Sequence, residues 1–253
     1  MPPHSGTNAV NQTSPSAKPV WVLLRGLVRQ QGHWGELPTQ LEKQLNAEVY
    51  CLDIAGCGQY FQQQSATSIT AMLSQVRRDL LSRYQAKHSA RPQPLKFNLL
   101  AISMGGMIAS QWAQQYPTEI QRMVLINTSF KNFSPFYARF NPRFIAKICL
   151  ALFRSNTTKD PAFIERQVFE MTCNHPISAR AQQTLLARWQ ALARRQPVSW
   201  LNALRQLYAA SQFTAPRHQP NTKVLLLASL QDRLVKVQCS QAIQHIWHCP
   251  SEY

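Results

Sequence analysis

The stretch that most constrains this chain is Leu95-Lys96-Phe97-Asn98-Leu99-Leu100-Ala101-Ile102-Ser103-Met104-Gly105-Gly106-Met107-Ile108. An apolar run of strand length ends at a serine, two glycines follow within three residues, and a helical pattern begins at once. A strand that turns into a helix at a single residue holds that residue in strained backbone geometry. The side chains two positions to either side must then be small for strand and helix to pass. Ala101 and Gly105 are those two residues.

The flanking pattern supplies a setting for such a turn. Val20 to Arg25 is a short, nearly unbroken apolar run, as in a strand buried on both faces of a parallel sheet, and Gly26 ends it. Leu37, Leu41 and Leu45 are spaced as on one helix face, and Glu48 to Ile54 resumes the sheet. Ile69, Leu73, Val76, Leu80 and Tyr84 keep a 3.6-residue period, predicting a long covering helix that stops before Pro92 and Pro94. After the serine, Ile108 and Trp112 share a helix face that stops before Pro117, and Arg122 to Asn127 is the next strand. Strands separated by helices imply right-handed crossovers and a doubly wound, mostly parallel α/β sheet with ligands at the carboxyl ends of its strands. Ser103 lies at such an end.

From Lys131 to Asn221 the pattern is helical without strands, too long for an ordinary loop. Ile145, Ile148, Cys149 and Leu152 mark one helix, Ile164, Val168 and Met171 a second, Leu185, Trp189 and Leu192 a third, and Leu201, Leu204 and Tyr208 a fourth. Lys223 to Ser229 is a fifth strand, and Cys239, Ile243 and Ile246 place a helix after it.

Ala101 to Gly105 reads as an A-x-S-x-G variant of the nucleophile-elbow pattern G-x-S-x-G. Three further stretches stand in order around it: Val22-Leu23-Leu24-Arg25-Gly26-Leu27 with Trp34 following, Cys51-Leu52-Asp53-Ile54-Ala55-Gly56-Cys57-Gly58, and Val224-Leu225-Leu226-Leu227-Ala228-Ser229 leading to Asp232. In this order they resemble the α/β-hydrolase superfamily, specifically its single-domain, cap-bearing esterases, over nearly the whole chain. The resemblance implies a hydrolase core over 19–130 and 222–253 with a helical cap over 131–221. It also implies Ser103 as nucleophile, Asp232 as the acid that orients the base, and the backbone N–H groups of Leu27 and Met104 as the oxyanion hole. Arg25 stands where the family usually carries histidine. Asp53 resembles an aspartate the family often has there, read here as a loop-organising carboxylate rather than the catalytic acid. Asn127, Thr128 and Ser129 occupy the alternative acid position, and none ionises as a carboxylate.

The base is the missing piece. By resemblance it follows one further strand, past Tyr253. His245 and His248 precede where that strand would begin, His33 lies in the oxyanion loop, His175 and His218 lie in the cap, and His88 has no family counterpart. The expectation is a C-terminally truncated copy, lacking the last strand and the base histidine, inactive on its own, with an open sheet edge and uncovered apolar surface. The substrate class is a small acyl or ester compound. The same apparatus serves thioesterases, C–C bond hydrolases and acyltransferases, and a catalytically silent binding protein is a second reading.

Composition narrows the class. Hydrophobic residues make up 45% and charged residues 15%, which is globular composition, and 253 residues suffice for one well-buried domain. Met1 to Lys18 is polar, lacks the apolar segment of a secretory signal, and is read as a flexible tail of a cytoplasmic protein. Six scattered cysteines lack metal-type spacing and are expected reduced, and no cofactor or metal motif is present. The net charge of +16 has two readings, a solvated surface or attraction to anionic surfaces. No nucleic-acid motif accompanies it. Much of the excess lies in the cap, in Arg139, Arg143, Lys147, Arg154, Arg188, Arg194, Arg195 and Arg205 against Asp160, Glu165 and Glu170. Arg143 and Lys147 opposite Ile145 and Ile148 make its first helix basic and amphipathic, a candidate for weak contact with an anionic membrane.

Overall fold

The computed structural model describes residues 18–88, 96–143, 146, 161–173 and 177–253. The tail before Lys18 and most of the first cap helix, with Lys147, Cys149 and Arg154, lie outside the described residues, as does His175. The sheet consists of β1 (Val20–Leu24), β2 (Glu48–Leu52), β3 (Phe97–Ile102), β4 (Ile120–Ile126), β5 (Lys223–Leu227) and β6 (Ser251–Glu252) in the order β2-β1-β3-β4-β5-β6. Every pairing is parallel.

Side chains alternate between two cores, as a pleated strand requires. Val20, Val22 and Leu24 of β1, with Leu99 and Ala101 of β3, face α2 (Ile69–Lys87), α3 (Met104–Gln115) and α8 (Gln238–Trp247). Trp21, Leu23, Leu100 and Ile102 face Trp34 and Leu37 and Leu41 of α1 (Leu37–Leu45). The first core is fully buried along β1 and β3. On the second face Trp21, Val49, Cys51, Val124 and Ile126 stay only partly buried.

Between β4 and β5, the described residues hold the short α4 (Phe136–Arg139), α5 (Pro161–Thr172), α6 (Ala179–Arg195) and α7 (Trp200–Gln212), and no strand. In α7 the buried face differs from the expected one. Leu201, Leu204 and Tyr208 are exposed, and Asn202, Gln206, Ala209 and Ala210 point inward. The reason is polar: Asn202 accepts from Ser65 N–H and donates to the Gln63 carbonyl, so this face docks on loop backbone that needs amide partners. A second difference is β6. The sequence reading places no strand after α8, whereas Ser251 and Glu252 pair with Leu226 and Leu227. Two residues are too few to carry a period. Among the described residues no helix is long and apolar enough to cross a membrane.

Ser103 joins β3 directly to α3, at φ 54° and ψ −119°. A Cβ on Gly105 would lie 2.5 Å from the Leu24 carbonyl oxygen and 2.8 Å from that of Arg25, so α3 starts against the backbone leaving β1. Backbone cannot swing aside as a side-chain tip can. Gly105→Ala is therefore expected to cost about 1–3 kcal/mol through overpacking, read as a lower urea midpoint at unchanged m-value. A midpoint equal to or above that of the parent protein would contradict this packing.

Candidate active site

The strand order fixes where the site must be. From β1 the chain crosses outward to β2, then returns past β1 to β3 and proceeds the other way, so the loops leaving β1 and β3 diverge and open a crevice between them. Leu24 pairs level with Ala101, which brings the next turn of each strand together. A Cβ on Gly26 would lie 3.1 Å from Ser103 Cβ and 3.5 Å from its Oγ, so the β1 loop crosses close against the serine, where even a methyl group would make Ser103 give way. Ser103 is pinned from below: its N–H donates to the Ile126 carbonyl at 2.9 Å, and its carbonyl accepts from Thr128 Oγ1 at 2.8 Å. Among the described residues neither the Leu27 nor the Met104 amide donates a hydrogen bond; Met104 follows Ser103 in the chain, and Leu27 follows Gly26, the residue that approaches it.

Asp232 stands in the loop after β5. Its Oδ1 accepts from the N–H groups of Leu234 at 2.7 Å and Val235 at 3.1 Å, and its Oδ2 accepts from Asn127 Nδ2 at 2.6 Å. Burial pushes its carboxyl above the usual aspartate range, and those three donors pull the other way. Asn127 is the residue sequence reading passed over. It leaves β4 at φ 45°, donates its amide N–H to Leu227, accepts from Ser229 N–H at 2.9 Å, and so ties the acid loop to the strand beside the serine. Its failure to ionise was read as a disqualification, and the positive φ that marks its place has no signature in one sequence.

No histidine among the described residues bonds to Ser103 or Asp232. His88 bonds Glu48 at the amino end of β2, the opposite rim from Ser103 in a parallel sheet. His218 precedes β5, and His245 and His248 precede β6, on segments that feed that same opposite rim. His33 is the exception in place but not in chemistry. Its Nε2 accepts from Arg29 at 2.9 Å, which leaves the proton on Nδ1 to meet the Gln30 carbonyl at 3.1 Å. Burial, then the neighbouring Arg29 and Arg25 charges, push its pKa down to about 2.

A family model described as serine aminopeptidase, S33, matches residues 15–249. The chain belongs to this family. It is a hydrolase of the α/β-hydrolase fold. Comparison with curated proteins gives no sequence match. Among solved structures it is similar to an esterase from Exiguobacterium antarcticum at 13% identity and a TM-score of 0.68, over 93% of this chain and 83% of that one. A hydrolase from Pseudomonas aeruginosa PA01 matches at 18% identity and a TM-score of 0.64, over 92% and 80% of the two chains. A lipase-esterase related protein from Clostridium acetobutylicum ATCC 824 matches at 14% and 0.62, over 92% and 83%. At these identities the structural likeness bears on fold alone.

In this S33-family chain the β1 loop is tied to the helices between β4 and β5. Val28 sits at φ 53°, unfavourable for a β-branched residue, and its N–H donates at 2.9 Å to Oε1 of the fully buried Gln206 on α7. The Gln206 amide nitrogen donates in turn to Ser65 Oγ at 3.0 Å. Asp53 accepts from the Gln31 and Gln59 amides at 2.7 Å and 3.1 Å, the loop-organising role expected of it. Arg29 crosses to Glu165 of α5 in a buried ion pair and lies over the Trp189 ring of α6 at 4.9 Å.

His33 gives this arrangement a pH signature. In the unfolded chain it takes a proton as pH falls through about 6.5, whereas in the folded chain it stays neutral down to about pH 2. Protons therefore favour the unfolded state below pH 6.5, and His33 removes roughly 1.4 kcal/mol of stability per pH unit in that range. His33→Gln is expected to lose about 2 kcal/mol less than the parent protein between pH 7 and pH 5 in urea unfolding. Equal losses would show that folded His33 protonates normally.

Proposed function

We propose that this chain is a serine hydrolase that cleaves carboxylic esters through an acyl-enzyme on Ser103. The observation that carries the reading is Ser103 at positive φ on the carboxyl rim, crossed by Gly26, with the next amide after each, Met104 and Leu27, donating no hydrogen bond among the described residues. In this reading the Ser103 hydroxyl loses its proton to a base as Oγ adds to the acyl carbon. The Leu27 and Met104 N–H groups receive the developing oxyanion, the alcohol departs with a proton, and water then releases the acid. Asp232 orients the imidazolium, and the helices of 131–221 shape the acyl pocket. The reading applies equally to related acyl bonds, and ester cleavage is the member of that set tested here.

No described residue supplies the base, so an added one should restore it. The 253-residue chain is expected to hydrolyse p-nitrophenyl butyrate near the uncatalysed rate. Imidazole should raise that rate beyond its own reaction with the ester, and Ser103→Ala should abolish the gain. An imidazole effect unchanged by Ser103→Ala would end the ester-hydrolase reading. That no histidine among the described residues meets Ser103 also favours a second reading, a catalytically silent member that docks on an anionic surface through its basic cap. That reading predicts no covalent fluorophosphonate adduct at Ser103 under any condition.

A further inference from the structure

Arg25 occupies the position where a histidine is usual for this fold, and its surroundings do not account for its charge. It makes no hydrogen bond and no ion pair among the described residues, and its Nε is sealed from solvent with no acceptor. The guanidinium lies over the Trp34 ring at 4.8 Å. That face-on contact offsets part of the cost of burial and leaves the in-plane N–H groups, the directional donors, unused. Burial, reinforced by the like charge of Arg29, lowers its pKa to about 10, so it remains a cation at neutral pH. Arg29 repeats the anomaly. Its Nη1 serves both Glu165 and His33, while its Nη2 is buried without a partner.

These orphan donors share one place. Arg25 precedes Gly26, the residue that crosses Ser103, and its carbonyl abuts Gly105. Cys173, just past α5, is close enough to bear on the charge of Arg25, and the Met171 carbonyl of α5 accepts from Arg233 N–H, next to Asp232. Arg25 thus belongs to the loop that crosses Ser103 and lies near the end of α5, which in turn bonds the loop carrying Asp232. Among the described residues, the charges that the contacts place around this spot include Arg25, Arg29, the exposed Arg188 near Gly35, and the carboxylate Glu165, which is already paired with Arg29. His33 stays neutral and adds nothing. An apolar side chain of similar shape would be cheaper to bury than an unpaired guanidinium, so a purely packing role does not explain Arg25.

We propose that Arg25, with Arg29 beside it, binds an anionic oxygen pair on the substrate, so that the ester presented to Ser103 carries a carboxylate or a phosphate. The identity of the bound molecule as substrate rests on the serine-hydrolase reading above. A planar guanidinium fork matches either group through two parallel N–H···O bonds. The pairing supplies the counter-charge the cluster lacks. It also sets specificity, because a neutral diester offers weaker acceptors and no counter-charge.

The test compares monomethyl succinate, dimethyl succinate and phenyl phosphate by isothermal titration against the parent protein, Arg25→Gln and Arg25→Lys. The two anions are expected to bind at least about tenfold tighter than the neutral diester. Arg25→Gln should erase that preference, and Arg25→Lys, which keeps the charge and loses the fork, should keep part of it. Tighter binding of the monoester assigns the anion to a carboxylate, and tighter binding of phenyl phosphate to a phosphate. Either supports the proposal. Equal binding of the monoester, the diester and phenyl phosphate by the parent protein overturns it, as does an anion preference that survives Arg25→Gln. Should Arg25→Gln not fold, the parent comparison and Arg25→Lys decide the matter. Fluorophosphonate labelling of Ser103, read by intact mass on the same samples, keeps the two ideas apart. Labelling without anion preference sinks this proposal alone, and anion preference without labelling sinks the serine reading alone.

Discussion

The close approach of α3 to the backbone leaving β1 is the contact on which the rest depends. Gly105 faces the Leu24 and Arg25 carbonyls with no room for a methyl group, and Gly106 faces Thr128 in the same way, where a Cβ would lie 2.6 Å from Oγ1. With the helix seated that deeply, the single residue between β3 and α3 has to reverse the chain on its own, and positive φ at Ser103 is the result. The strain is local and sustained by packing, because Thr128 and Ile126 bond the serine's backbone from the neighbouring strand end. The hydroxyl is consequently offered at the rim and not buried in either core.

The loop after β1 is organised from the opposite direction. Its residues cannot join the sheet, so their polar groups find partners on the helices between β4 and β5: Val28 in Gln206 of α7 and Arg29 in Glu165 of α5. Asp53 and its amide donors hold the far side of the same loop. The inward face of α7 is therefore divided between amides that bond loop backbone and Ala209 and Ala210, which join the main core. The same division explains why α7 turns amides inward and leaves Leu201, Leu204 and Tyr208 exposed.

Strand identities, the sheet's winding and the serine turn were legible because each leaves a mark in residue order: apolar runs, helical periods, and small residues at 101 and 105. Other features left no such mark. Periodicity counts apolar residues, so it chose the wrong face of α7, where the inward side is built from Asn202 and Gln206. β6 is too short to carry alternation. Asn127 acts through backbone angle and hydrogen bonding, neither of which residue type reveals. Arg25 was legible as a departure from a pattern, but its lack of partners emerges only when the loop, Trp34 and α5 are placed in space.

The most direct measurement is a crystal structure of the chain after prolonged reaction with a fluorophosphonate. The account predicts a phosphorus–oxygen bond to Ser103 Oγ, with the phosphonyl oxygen within about 3 Å of both the Leu27 and Met104 amide nitrogens. An adduct on another residue, or one on Ser103 whose phosphonyl oxygen points away from both amides, would contradict it.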